Sequence, residues 1–316
     1  MALTTQEAIA LLNAQLTKIE PEIIKPTTLY TYTRDLPIAE DLDHLVDSIV
    51  LTKIQQGAGQ GVTKVGGKSW IAKNANDLKD VSIDMTAEAV RVFDAGRELS
   101  WTSRELERAH KFGVAIDTEK VEVLHDIFQQ EAQNTGYLGD ADLGFTGLLN
   151  NASVAADKIS GSGLLAAKSA ADIKKLIVAY DSAMRAAEER ADDVVLPTKL
   201  LVCPADYVLM HSIKIDVSNT NTVSLIEYLE KHSYAAVSGV NFKVEKVKEL
   251  KGLANGSTQN RQVLYTPDSK FLKFNICPMW REKTYDKGMQ YCSAYLWRMA
   301  ELQIRQAQTI TYIDNI

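Results

Sequence analysis

Apolar and polar positions alternate along this chain with two periods, and the switches between them mark its elements. Helical spacing comes first, at Ile9, Leu12 and Leu16, and predicts a short amphipathic helix over roughly 5–19. Pro21 and Pro26 close it, and an extended stretch through Leu29, Tyr30 and Tyr32 follows, so the segment reads as an arm with little core of its own. Two-residue alternation then sets Val81, Ile83 and Met85 against Ser82, Asp84 and Thr86. The phase slips near 87–89 and resumes at Val90 and Val92, which predicts a long ribbon with a bend or bulge.

Helical spacing returns at Val121, Leu124, Phe128 and Ala132, one apolar stripe with Asp117 as its expected N-cap. A glycine-rich turn follows (Gly136, Gly139, Gly144, Gly147) and runs into Leu148-Leu149-Asn150. Ser169 with Asp172 makes a capping-box-like start for a second helix, whose stripe is Ile173, Leu176, Ile177, Tyr180, Met184 and Ala187. From Leu196 short elements mix: a strand at 200–203, a helix opened by Pro204, a helix at 223–231, and strands at Phe242 and Val244, 263–265, Leu272–Ile276 and 303–313. The order is that of an α+β chain with no βαβ repeat.

Composition changes this picture little, and charge more. The 316 residues are 46% hydrophobic and 24% charged, ordinary globular usage. The net charge is −6, and residues 1–50 hold three basic against eight acidic side chains, so the arm carries most of the excess. Residues 56–98 balance six against six. A charge-balanced two-stranded ribbon is marginal in water and must lie on something. Three separated cysteines make no disulfide framework. Neither a signal peptide nor a membrane-length apolar run is found, so a chain made in the cytoplasm is expected.

Candidate chemistry is weak throughout. Gly67-Lys68-Ser69 ends like a phosphate-binding loop, but the glycine required five places earlier is Val62, and Gly61 is one residue too early. The dinucleotide pattern starting at Gly57 and Gly59 fails at the same position. No Gly-x-Ser-x-Gly occurs, and the five histidines form no His-Glu-x-x-His pair. Cys277 and Cys292 lack zinc-knuckle spacing. Trp280, Tyr291, Tyr295 and Trp297 read as core or interface aromatics, because too few cations accompany them for a nucleic-acid platform. No catalytic residue, metal site or cofactor is expected.

The order of parts resembles the major capsid proteins of tailed bacteriophages with the Hong Kong 97-type fold. The most specific string is Gly144-Phe145-Thr146-Gly147-Leu148-Leu149-Asn150, similar to one branch of these capsid and encapsulin-like shell proteins. Trp101–Leu106 before the helix and Leu225–Leu229 are also similar. The resemblance implies an N-terminal arm (1–55), an E-loop (56–98), a spine helix (117–135), a peripheral domain (99–195 and 261–316) and an axial domain (196–260). It implies E-loop hinge and inter-subunit contact residues at Gly57, Gly59, Gly61, Gly66, Gly67, Lys68 and Trp70, and a spine core face of Val121, Leu124, Phe128 and Ala132. The implied partners are further copies of itself, as pentamers and hexamers of an icosahedral shell enclosing double-stranded DNA, with portal, scaffold or cement proteins and no membrane. Lys64, Lys68 and Lys73 are available for the covalent crosslinking some members use, but none is expected. The alternatives are an encapsulin-like compartment and, in another class, a phosphate-dependent enzyme using 61–69.

Overall fold

The computed structural model describes residues 29–58, 81–105, 116–158, 169–218, 221–254, 259–288 and 290–314. The described chain opens with one helical turn, α1 (Tyr32–Asp35), in place of the extended stretch with little core expected from sequence, and buries Tyr32 and Leu36 in the main core; a short strand, β1 (Ile38–Ala39), follows. Two long strands follow, β2 (Ser48–Ala58) and β3 (Val81–Thr102), then a long helix, α2 (Ile116–Tyr137). The chain continues through β4 (Ala155–Lys158), α3 (Ala170–Arg190), β5 (Lys199–Val202), α4 (Pro204–Ser212), β6 (Lys214–Ser218), β7 (Asn221–Ser224), α5 (Leu225–His232), α6 (Tyr234–Val237) and β8 (Lys243–Lys246). It ends with β9 (Gln262–Tyr265), β10 (Leu272–Arg281), β11 (Tyr285–Asp286), β12 (Gln290–Ala300), β13 (Gln303–Ile304) and β14 (Thr311–Asp314).

Local chemistry explains most boundaries. Ser169 caps α3 by accepting from the Asp172 amide, and Pro204 opens α4 where its missing N–H costs nothing. Ser224 caps α5 in the same way, accepting from Glu227 N. That cap places Val223 in β7, not in the helix expected over 223–231. Asp117 lies inside α2 and is not its N-cap. The expected strand over 303–313 is broken, because β13 pairs with β10, β14 pairs with β4 and β9, and a 3-10 turn (Ala307–Thr309) carries the chain between the two sheets.

β2 and β3 pair without interruption from Ser48↔Arg91 to Ala58↔Val81, so the bulge expected near 87–89 is absent. The phase slip has another cause. Val90 and Val92 are buried where Leu42, Cys277 and Ala300 cover that face, a change of neighbours and not of backbone.

One sheet runs β1-β10-β12-β3-β2, with β11 and β13 attached; a five-stranded sheet runs β4-β14-β9-β5-β8; β6 and β7 form a separate hairpin. The five-stranded sheet divides two cores. Leu201 and Val263 face a core built on α2, while Leu200 and Leu264 face one built on α3. Burial on both faces explains why residues 200–202 of β5 read as an unbroken apolar run.

Candidate functional site

The ribbon comes first. Residues 92–102 of β3 pair with β12, whereas among the described residues 81–91 pair with β2 alone. The strand is thus half body sheet and half two-stranded ribbon. Arg298 of β12 clips the changeover. Its guanidinium, 5% exposed, donates to Asp94 of β3, to the His44 carbonyl (2.7 Å) and to Asp47 (3.0 Å), just before β2. Further along β3, Glu98 accepts from Lys287 (2.7 Å) and Tyr285 (2.9 Å), fastening the β11 hairpin. Hydrogen bonds from Cys292, Lys287 and Tyr285 hold the Glu98 carboxyl at about 2, far below the usual carboxylate range. Where β3 ends, Thr102 and Glu105 form a reciprocal capping box: Thr102 N donates to Glu105 Oε2 (2.9 Å) and Glu105 N to Thr102 Oγ1 (3.3 Å).

The segment 29–39, the root of the arm expected from sequence, is held by a buried polar hub. Asp35 has no solvent exposure. Its carboxylate accepts from Tyr137 Oη (2.6 Å), Lys199 Nζ (3.1 Å) and both Nε and a terminal nitrogen of Arg34 (2.8 Å each). Its backbone carbonyl accepts from Tyr265 Oη at 2.8 Å. Burial, then the nearby Asp35 charge, pushes both tyrosine hydroxyls well above their ordinary pKa, so they remain donors at any physiological pH. Thr31 adds a side-chain hydrogen bond to Tyr137 Oη (2.9 Å) and donates its amide to Gln133 (2.9 Å).

The third part is the turn at residues 139–150. Gly139 (φ +72°) ends α2 in the left-handed region, and a Cβ there would lie 2.3 Å from the Phe145 carbonyl oxygen. A Cβ on Gly147 would lie 2.2 Å from the Tyr137 carbonyl oxygen. This close approach lets Leu148 N and Leu149 N donate to the Gly136 and Tyr137 carbonyls (3.0 and 2.9 Å), satisfying helix-terminal acceptors. Asn150 locks the loop, accepting from Gly147 N (2.8 Å) and donating to the Leu138 carbonyl (2.6 Å). Tyr312 Oη and Arg261 then bind the Leu148 and Leu149 carbonyls (2.8 Å each), and Arg261 pairs with Asp314, welding the turn to β14. Phe145 packs edge-on against Phe93 of β3 at 5.0 Å.

Of the residues singled out by sequence, Leu124, Phe128 and Ala132 are buried and Val121 packs against the same core. Leu148 and Leu149 have no exposure, and Gly144 (φ +73°) faces open space. Gly57 pairs with Ser82 in the ribbon. Gly59, Gly61, Gly66, Gly67, Lys68, Trp70 and the N-terminal helix lie outside the described residues. Trp297 is buried and Tyr291 exposed. Sequence reasoning missed the Asp35 hub, the Arg298 clip and the Arg261 pair, whose partners are distant in sequence; Thr102-x-x-Glu105 was a readable capping signal. Among the described residues, no three His, Cys, Asp or Glu side chains are grouped to hold a metal ion, and no helix is long and apolar enough to cross a membrane.

A sequence model described as major capsid protein matches residues 66–316. No curated protein sequence matches the chain. Among solved structures it is similar to the capsid of Myoviridae phage XM1, with a TM-score of 0.74, 15% identity and coverage of 96% of this chain and 98% of that one. It is also similar to the capsid of an empty GTA particle (TM-score 0.59, 12% identity, 99% of both chains). A third likeness is to Mycobacterium phage Adephagia (TM-score 0.58, 11% identity, 100% of this chain and 99% of that one). At these identities the likeness is one of fold, and it spans nearly the whole of each chain.

Proposed function

The chain belongs to the major capsid protein family, has the Hong Kong 97-type fold and is a shell-forming head protein, and from that premise we propose that its ribbon and arm are the contacts between neighbouring subunits. One observation carries the reading: residues 81–91 of β3 pair with β2 and, among the described residues, have no third strand beside them. A two-stranded ribbon does not sustain itself in water, and in a shell the adjacent subunit supplies the missing support. Its balanced charge suits contact with identical copies, since no single-sign repulsion accumulates. On this reading residues 1–55 are the arm and 56–98 the E-loop, although the first ribbon strand begins earlier, at Ser48. The peripheral domain takes 99–195 and 261–316, and the axial domain 196–260. The shell assembles in the host cytoplasm, encloses double-stranded DNA without reading its sequence, engages portal, scaffold or cement proteins, and performs no catalytic step.

The test compares the full chain with a variant in which a Gly-Asn turn replaces residues 59–80, by size-exclusion chromatography and negative-stain electron microscopy. The full chain is expected to form closed shells, or rings of five and six, that boil in detergent to one monomer band. The variant is expected to keep its melting temperature and stop at small oligomers. Normal shells from the variant would defeat the contact assignment. An ATP-dependent rise in melting temperature, lost in Lys68→Ala, would favour a phosphate-binding enzyme instead.

A further inference from the structure

Two parts of the molecule described above meet at one residue. The side chain of Tyr137 belongs to the arm root: its hydroxyl donates to Asp35 and is hydrogen-bonded with Thr31. The backbone of Tyr137 belongs to the turn: its carbonyl accepts from Leu149 N and is the atom against which Gly147 is packed. Its neighbour Gly136 has the same double placement. A Cβ there would lie 2.5 Å from Leu36 Cδ1 on the arm side, while its carbonyl accepts from Leu148 N on the turn side.

We propose that Tyr137 is a coupling residue, through which docking of the arm root sets the geometry of the 139–150 turn, and the turn in return sets the affinity of the dock. The physical reason is close packing with little room to yield. The Tyr137 ring is wholly buried, so its hydroxyl cannot follow a departing Asp35 without moving the last turn of α2. That last turn presents the two carbonyls that the turn amides use, and Gly147 is packed too closely for either side to shift alone. Beyond the turn the path continues in two directions, to β14 through Tyr312 and Arg261 and to the ribbon base through Phe145 on Phe93. The arm root and the ribbon base thus share one joint. The inference rests on contacts within one chain and holds whether or not the arm touches a neighbour.

Coupling is reciprocal, and this makes it testable from both ends. The measurement is amide hydrogen exchange by mass spectrometry on the full chain, comparing wild type, Tyr137→Phe, Thr31→Val and Asn150→Ala. Tyr137→Phe and Thr31→Val are expected to raise exchange at Leu148 and Leu149 by about fivefold or more, the low end of ordinary coupling, although neither removes a group those amides bond. Asn150→Ala is expected to raise exchange at Asp35 and Leu36 to a similar extent. Leu200 and Leu201 in β5 should stay unchanged throughout. Exchange raised only on the mutated side would overturn the proposal. So would a uniform rise that includes β5, because it marks general loss of stability. Thr31→Val, at a half-buried position of the hub, keeps the test decisive if Tyr137→Phe does not fold.

Discussion

The ribbon and the five-stranded sheet are both β-structure, yet they are stabilised by opposite means. β5 has four residues, every one buried, with Leu200 in one core and Leu201 in the other. β3 is a 22-residue strand in two halves: residues 92–102 lie beside β12, with Val92 and Trp101 buried and Arg298 and Lys287 clipped to Asp94 and Glu98, while among the described residues 81–91 pair with β2 alone. Val50 on the neighbouring β2 is 59% exposed. The difference teaches that strand length does not measure independence. A short strand sandwiched between two cores is self-sufficient, while the half of a long strand that has one described partner is, on the proposed reading, supported from outside.

The comparison breaks most sharply under truncation. Leu200→Ala is expected to destabilise by about 2–5 kcal/mol, read as a fall in the urea midpoint, because it opens a cavity with no solvent access. Val50→Ala should change stability by no more than about 0.5 kcal/mol while lowering shell yield. Equal stability losses would erase the distinction between the two regions.

A smaller contrast separates two glycines of the turn. Gly147→Ala drives a Cβ into a backbone carbonyl and should cost about 3 kcal/mol. Gly144→Ala has open space around it and pays only for a left-handed backbone, about 1–2 kcal/mol. If the two variants melt alike, close approach is not what selects glycine at 147.

The smallest effect is one of pH. The Glu98 carboxyl is depressed from 4.5 to about 2 in the folded chain, so its contribution is fully present above about 4.5 and disappears as pH falls towards 2. Its exposure keeps the effect small. The stability difference between wild type and Glu98→Gln should therefore be constant from pH 7 to 5 and shrink below that. A difference that persists unchanged to pH 2 would show that the Lys287 clip contributes nothing through its charge.

Several of these features were legible along the chain. The stripe at Leu124, Phe128 and Ala132 marked the buried face of α2, and Ser169 and Pro204 marked helix starts, because caps and periodicity act over a few residues. The resemblance carried by Gly144–Asn150 led to the family. Sequence reading failed where long-range pairing decided the outcome. The 303–313 stretch is apolar enough for one strand, but its two ends pair in different sheets. The slip at 87–89 looked like a backbone irregularity and proved to be a change in what covers the strand.

Local chemistry along the chain thus determined the α+β character, the starts of α3 and α4 and the spacing of glycines around the turn, all of which depend on neighbours within a few positions. Only the tertiary structure decided which polar residues matter. Asp35 meets Tyr137, Lys199 and Tyr265 across separations of 102, 164 and 230 residues, and no local pattern distinguishes it from the other acidic residues among the first fifty. Burial gives it that role, since a carboxylate removed from water must gather its donors from wherever the fold brings them.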